Sequence, residues 1–575
     1  MRTWAVLPFG IVATSAAVVT QVSDGQVQAA TATVTQISDG QVQAPTGNYG
    51  SANSSPTGQS CASYGTTASG SPYGSSSQSG GPVVDLGYAQ YRGVENASIG
   101  VTTYFGIRYA QSPTGELRWQ PPREIEYHND YDPSTIMDAT QQGPVCIQDT
   151  PYWSITNTTP SVQPGVEDCL LLDVLVPQNP TSSRLAVMVQ IHGGGYAGGN
   201  SETYPGYALV NQSHGNLMYV SIQYRLGAFG FLSGAEIRED GVANAGLLDQ
   251  RAALMWVQRN VRAFGGDPAK VTIIGGSAGG GAVINQMILY GGETNPPFRA
   301  VISERPWMQP YHNNSVLESQ YREVLAATNC TNLQCLRSLD TQSLNLGAQA
   351  ALVAAYTTRP MQYGYGDYYY GPTVDGEYIR DLPSQEFARG HFSKVPLLLD
   401  TEGYEGYTFS NIDLPYAKNA FFTRLYQLYP ASDFNSTFFQ RLTIFGNFII
   451  DCPTYYFASA VSSWGLPTYK LIFNAGTQLH GATRPFIHST NASEINNATL
   501  ALIMKDWYTS FAVNLDPNME SYSGTPKPFW PQYNLVEVSN FTIMDVNYTM
   551  MGAIEDFDAA PRCDFFHGQS YVVRN

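Results

Sequence analysis

The stretch Val271-Thr-Ile-Ile-Gly-Gly-Ser-Ala-Gly-Gly280 constrains this chain more than any other. Val271 to Ile274 is a β-branched run that reads as a buried strand. It breaks at Gly275-Gly276, and a small-residue helical pattern resumes from Ala278. Gly275-x-Ser277-x-Gly279 between a strand and a helix is the pattern of a nucleophile elbow. In so sharp a turn, side chains at Gly275 and Gly279 would collide with neighbouring backbone. The strain lifts the Ser277 hydroxyl clear and leaves it at a helix N-terminus, where developing negative charge is favoured. The five residues alone are common in Gly-rich turns, so their surroundings decide what they mean.

Those surroundings read as α/β. From Val83 onward apolar strands alternate with helical patterns, as in a doubly wound, mostly parallel sheet flanked by helices. Leu185–Ile191 and Leu217–Tyr224 are continuous apolar strands, while Ala252–Val257 and Ala282–Leu289 carry helical periodicity. The strand ending at Ile191 runs straight into His192-Gly193-Gly194-Gly195-Tyr196. Three glycines expose backbone N–H groups without side-chain obstruction, which is what an oxyanion hole needs. The expected donors are Gly194, Gly195 and Ala278, the last being the residue after the nucleophile.

The N-terminus reads differently. Residues 1–17 resemble a secretory signal: Arg2, an apolar stretch from Trp4 to Ala13, then Thr14-Ser15-Ala16-Ala17. No later apolar run is long enough to span a membrane, and Val572–Asn575 carries no lipid-anchor tail. About eleven N-x-S/T sequons follow, among them Asn96, Asn157, Asn211, Asn435 and Asn547, as expected of a glycosylated, secreted protein. A net charge of -17 argues against a nucleic-acid partner or an anionic membrane.

Residues 18–45 hold a repeat. Val19-Thr-Gln-Val-Ser-Asp-Gly-Gln-Val-Gln-Ala29 recurs as Val34-Thr-Gln-Ile-Ser-Asp-Gly-Gln-Val-Gln-Ala44. So little apolar content cannot bury a core, so the segment displays something rather than folds. It resembles the internal repeat of the fungal Pir cell-wall proteins. That resemblance implies a fungal source and ester attachment to wall β-1,3-glucan through Gln26 and Gln41; the alternative is a duplication in a loose linker. Residues 46–82 are a Gly/Ser/Tyr/Thr-rich linker, and the folded domain is expected over 83–575.

Within that domain the residues resemble a second family. Glu167-Asp-Cys-Leu-Leu-Leu-Asp-Val174 is similar to the E-D-C-L-x-L-x-V signature of type-B carboxylesterases and lipases, the cholinesterase-like α/β-hydrolases. Phe105–Ala110, Pro113-x-Gly115-x-Leu117-Arg118, Gly246–Gln250, Phe264–Pro268, Gly371–Gly376 and Lys394-Val-Pro396 resemble further blocks of that family. The resemblance implies an Arg118–Glu167 pair and a Cys146–Cys169 bridge closing a loop over the active-site mouth. The other expected disulfides are Cys330–Cys335 and Cys452–Cys563. Cys61 is then left over, either bonded to another molecule or an unpaired thiol. One position departs from the family, which often has Glu before the nucleophile where this chain has Gly276. A carboxylate is thereby expected to be missing from the pocket floor, which disfavours cationic substrates.

The fold supplies a triad in the chain order Ser, acid, His. His128 and His214 precede Ser277, His192 belongs to the glycine loop, His312 and His391 precede the expected acid, and His567 sits in the tail. His480 follows the strand Leu471–Phe473 and resembles the family's histidine segment, so it is the expected base. His488 reads as a surface or pocket-rim residue. The acid follows the strand Val395–Leu399. Glu405-Gly406 matches the family's D-E-G with Tyr404 replacing Asp, and Glu402 is the competitor; Asp375 reads as a structural turn residue. The expected chemistry is hydrolysis of a carboxylic ester through an acyl-enzyme, with no metal or organic cofactor. The few aliphatics in the Cys146–Cys169 loop, which holds Tyr152-Trp153, lean towards an open-mouthed esterase rather than a triacylglycerol lipase. Tyr363, Tyr365, Tyr368, Tyr369, Tyr370, Trp307 and Met308 either line the pocket or form ordinary structure. A non-catalytic adhesion or wall protein of the same fold is the remaining alternative; such proteins usually lack the serine or the histidine.

Overall fold

Eleven strands form one sheet, numbered here in chain order: β1 (Val94–Asn96), β2 (Val101–Arg108), β3 (Leu171–Pro177), β4 (Leu185–Ile191), β5 (Leu217–Ile222), β6 (Gly266–Gly276), β7 (Ala300–Glu304), β8 (Leu397–Glu402), β9 (Thr468–Phe473), β10 (Thr542–Val546) and β11 (Met551–Glu555). Their spatial order is β11-β10-β9-β8-β7-β6-β4-β5-β3-β2-β1. From β10 to β5 every neighbouring pair is parallel, and antiparallel strands close both edges. This computed structural model describes residues 80–575 apart from 133, 152, 154–158, 359–365, 411–419, 535–540 and 569–573, together with the short pair Thr35–Gln36 and Val42–Gln43. The expected signal segment, Gln26, Gln41, Cys61 and nearly all of the linker lie outside the described residues, as do Tyr152, Asn157, Tyr363 and Tyr365.

The central strands are buried end to end, which is why they read as unbroken apolar runs. Alternation then divides their side chains between two cores. Leu185, Val187, Val189 and Ile191 of β4 face one core, which holds Leu254, Trp256 and Val257 of helix α1 (Ala245–Asn260) and Ala282 and Val283 of helix α2 (Ala278–Ile288). Ala186 and Met188 face the other, built on Met504, Trp507, Tyr508 and Phe511 of helix α3 (Ala498–Asn514). Among the described residues no helix is long and apolar enough to cross a membrane.

Boundaries moved in instructive ways. The strand expected to break at Gly275 runs through both glycines, with Gly275 paired to Ile191 and Gly276 to Glu304. Ser277 alone makes the turn. The strand expected to end at Leu399 continues to Glu402, so Glu402 is a strand residue and not part of the loop beyond it. Leu217–Tyr224 ends earlier, at Ile222, beyond which Gln223 N–H still donates to Leu171 O at 2.9 Å.

Candidate active site

β4, β6, β8 and β9 all point their C-terminal ends to one rim, and each hands over one part of the site. At the end of β6, Ser277 has φ 60° and ψ -126°, a conformation L residues avoid, and caps helix α2. The glycines around it leave no room for substitution. A Cβ at Gly275 would lie 2.3 Å from the Gly279 carbonyl oxygen, and one at Gly279 would lie 2.2 Å from the Ile191 carbonyl oxygen. Ser277 N–H donates to Glu304 O at 3.0 Å, and Trp307 N–H donates to Ser277 O at 2.9 Å, so the turn is held from the end of β7.

His480 lies beyond β9. Its Nε2 is 2.9 Å from Ser277 Oγ and its Nδ1 is 2.6 Å from Glu405 Oε2. Glu405 follows β8 and is 1% exposed. A parallel bridge between Tyr404 and Leu479, with Tyr404 N–H donating to Gln478 O at 2.8 Å, aligns the acid loop with the histidine loop. Gly406 is pressed against the helix Thr437–Gly446, where a Cβ would come within 1.9 Å of Leu442 O. That contact explains the glycine after the acid.

Glu402 has another task. Its Oε1 accepts from the N–H and the hydroxyl of Thr483, at 3.2 and 2.7 Å, and lies 3.6 Å from Arg305 Nη1. Glu405, and not Glu402, therefore stands behind the imidazole. Glu402, Glu405 and His480 also bring three metal-ligand atoms within 4.8 Å of one another. An ion there would take Nδ1 away from Glu405.

Burial pushes the His480 imidazole well below its usual range, and the Arg305 cation adds to this. A neutral ring is the form that accepts a proton. Burial raises the Glu405 carboxyl, and the Glu402 charge adds to this. The Nδ1–H···Oε2 hydrogen bond works the other way and favours the carboxylate.

After β4, Gly194, Gly195 and Tyr196 all take positive φ, at 108°, 66° and 58°. Gly194 O accepts from Ala197 and Gly198, which curls the loop. The N–H groups of Gly194, Gly195 and Ala278 donate to no backbone carbonyl among the described residues. A Cβ at Gly195 would meet the Tyr368 ring at 1.9 Å. Tyr368 and Phe409 pack on Trp307, with ring centroids 5.7 and 4.3 Å away, and Phe409 lies 5.0 Å from the His480 ring. Trp307 and Tyr368 thus belong to the site's wall. Met308, Tyr369 and Tyr370 are buried in the core.

The three disulfides pair Cys146 with Cys169, Cys330 with Cys335 and Cys452 with Cys563. Arg118 and Glu167 meet through two hydrogen bonds of 2.8 and 2.6 Å, both buried. Asp375 accepts the N–H groups of Glu377, Tyr378 and Ile379, a structural turn. Two expectations need correction. His488 is not at the rim: it is 2% exposed, with Nε2 3.4 Å from Glu304 Oε2. The space beside Gly276 does not lack a carboxylate either. A Cβ there would lie 2.7 Å from Arg305 Nη2 and 3.1 Å from Glu304 Oε2. Glu304 and Arg305 were not singled out from the sequence, where two charges after an apolar run read as surface.

A serine, histidine and carboxylate meeting at the C-terminal rim of a doubly wound sheet define the α/β-hydrolase class. The chain belongs to the carboxylesterase family, whose model matches residues 80–443, and is a carboxylic ester hydrolase. It is 30% identical over 534 residues to carboxylesterase patB of Aspergillus clavatus, covering 80% of this chain and 92% of that one. It is 31% identical over 456 residues to the secreted lipase ARB07186/07185 of Arthroderma benhamiae, covering 72% and 78%. The crystal structure of Aspergillus niger EstA superposes with a TM-score of 0.74 at 26% identity, covering 86% of this chain and 99% of that one. Residues 16–33 and 32–46 match the yeast PIR protein repeat.

Proposed function

We propose that the protein is an exported serine carboxylesterase that works through an acyl-enzyme, with Ser277 as nucleophile, His480 as base and Glu405 as orienting acid. The observation that carries this is the imidazole bridging Ser277 Oγ and Glu405 Oε2 at 2.9 and 2.6 Å. His480 Nε2 takes the hydroxyl proton as Oγ attacks the ester carbonyl. Glu405 keeps the proton on Nδ1 and stabilises the imidazolium. The N–H groups of Gly194, Gly195 and Ala278 receive the oxyanion, each worth about 3 kcal/mol in the transition state. His480 then protonates the departing alcohol, and water repeats the cycle to free the acid.

A compact ester suits the site better than a lipid interface. The loop closed by Cys146–Cys169 is stitched down. Asp149 N–H donates to Ala197 O at 2.6 Å, Gln163 N–H to Asn345 Oδ1 at 2.9 Å and Trp153 Nε1 to Asp367 O at 2.9 Å. Trp153 packs edge-on against Tyr368 and Phe409. These ties of the loop's described residues to the domain support an esterase reading. The lipase reading is favoured by the names of several relatives.

Export rests on the signal-like residues 1–17, on three disulfides, which persist in oxidising compartments, and on exposed sequon residues Asn211 and Asn435. Residues 18–45 would then serve wall attachment through Gln26 and Gln41, with 46–82 as linker and 83–575 as the catalytic unit. Hydrolysis of p-nitrophenyl esters from acetate to palmitate tests the substrate reading. Rates should peak at short chains without activation at an oil–water interface. A maximum at palmitate with interfacial activation would make the enzyme a lipase.

A further inference from the structure

The space that Gly276 leaves beside the nucleophile is filled by a buried ion cluster. Glu304, the last residue of β7, pairs in register with Gly276 on one side and Asp400 on the other. Arg305 follows it, 1% exposed and with φ 38°, in the left-handed region. Such a backbone on a buried arginine persists only where its surroundings demand it. Its N–H donates to Asp400 Oδ1 at 2.8 Å and to Asp400 O at 2.9 Å. Its Nη1 donates to Thr483 Oγ1 at 2.7 Å and lies 3.6 Å from Glu402 Oε1.

These contacts reach the acid and histidine loops, and the residue before Arg305 holds the serine turn. Thr483 lies just past His480, in the same segment. Glu402 N–H donates to Glu405 Oε1 at 2.8 Å. Glu304 O takes the Ser277 N–H. Nη2, the atom nearest the missing Cβ, makes no hydrogen bond among the described residues, so the guanidinium sits by Nη1 and by charge.

We propose that Arg305 is a positioning residue for catalysis: seated in the space left by Gly276 beside the serine turn, its guanidinium holds the Glu405 loop and the His480 loop in register through Glu402 and Thr483. The proposal rests on the triad reading above. The cation also acts at a distance, as the second cause, after burial, that keeps the imidazole neutral.

The groups facing it come from five sides. β7 brings Glu304, β8 brings Asp400 and Glu402, and the segment after β4 brings Tyr204. The segment after β9 brings Arg484, against the Tyr204 ring that also faces Arg305, and His488, against Glu304. Helix α3 brings Tyr508, hydrogen-bonded to Asp400. Glu402 is the largest influence favouring the Arg305 charge over the cost of burial.

The test is kcat and KM for p-nitrophenyl acetate across the pH range, on the full-length enzyme and on Arg305→Lys, Arg305→Met and Glu402→Gln. Arg305→Met should lower kcat about 100-fold, as loop misplacement does, with KM within about threefold. Its acid limb of kcat/KM should move up by about 0.5 pH unit or more, because the cation opposing His480 protonation is gone. Glu402→Gln should move the limb down, because Arg305 loses its counter-charge. Arg305→Lys keeps the charge, so its limb should stay in place while kcat recovers in part. An unmoved limb in both Arg305→Met and Glu402→Gln overturns the proposal, as does an Arg305→Met kcat within about threefold of wild type. Should Arg305→Met fail to fold, the test rests on a lowered kcat with an unmoved limb in Arg305→Lys and a limb moved down in Glu402→Gln; a wild-type kcat in Arg305→Lys together with an unmoved limb in Glu402→Gln overturns the proposal. Ser277→Ala is run beside them. Activity surviving there removes the triad itself; activity lost there but kept in Arg305→Met removes only this proposal.

Discussion

Replacing Glu405 by glutamine separates the acid from its neighbour Glu402, and the structure sets the size of the effect. Both oxygens of Glu405 accept N–H groups, Oε1 from Glu402 at 2.8 Å and Oε2 from His480 Nδ1 at 2.6 Å. A glutamine has one acceptor for these two donors. If its oxygen serves the buried Glu402 N–H, its NH2 faces Nδ1. The ring must then carry its proton on Nε2, where it cannot accept from Ser277. If its oxygen serves Nδ1, a buried N–H of Glu402 is left facing an NH2, at about 1–3 kcal/mol. That penalty favours the wrong tautomer. A site populated mainly in the wrong tautomer should lose about 10³- to 10⁴-fold in kcat, roughly 4–5 kcal/mol of barrier, with KM little changed. Glu402→Gln keeps the acceptor for Thr483 and should lose less than about 30-fold. The assay is steady-state hydrolysis of p-nitrophenyl acetate by both variants, with circular dichroism to check the fold. A Glu405→Gln enzyme within about tenfold of wild type, or a larger loss in Glu402→Gln, would refute the assignment.

Gly279→Ala should abolish the elbow. Its methyl would sit 2.2 Å from Ile191 O and 2.9 Å from the His192 carbonyl carbon, backbone that cannot give way, so hydrolysis should fall more than about 100-fold; normal rates would contradict the packing. Among the described residues Arg118→Met leaves the buried Glu167 carboxylate only the Thr341 hydroxyl, and calorimetry should find about 3–5 kcal/mol less stability, an unchanged melting point being the contrary result. Because burial and Arg305 hold His480 well below the ordinary imidazole value of about 6.5, its neutral form persists as pH falls, so the acid limb of kcat/KM should have its midpoint below about pH 6.5; a midpoint above it would contradict the charge arrangement.

Much of the site was legible because stereochemistry leaves few choices. Only glycine fits at 275 and 279, and the serine between them inherits its role from the turn. Chain order leaves His480 and His488, and His480 stands out by following the strand Leu471–Phe473 and by its likeness to the family's histidine segment. Glu405 was harder: two glutamates follow one strand, the likeness of Glu405-Gly406 to the family's D-E-G favours the second, and the continuation of β8 to Glu402 sets the first apart. Apolar periodicity cannot show that, since Asp400, Thr401 and Glu402 are polar yet buried. The same limit hid Glu304, Arg305 and His488. Charged residues read as surface unless their partners are known, and these partners come from three strands and a distant helix. Gly276 looked like a lost carboxylate because the space it leaves is filled from the neighbouring strand. The pocket aromatics divided for a similar reason: Trp307 faces His480 and Tyr368 faces the glycine loop after β4, and nothing local distinguishes them from Tyr369 and Tyr370.

The central claim is that a neutral imidazole at 480, backed by the carboxylate at 405, turns the hydroxyl at 277 into a nucleophile. Labelling with a fluorophosphonate, followed by peptide mass spectrometry, reads this directly. The adduct should form on the Ser277 peptide, slow by about 10³-fold or more in His480→Ala, and vanish in Ser277→Ala. An adduct on another residue, or equal labelling of Ser277→Ala, would contradict the account.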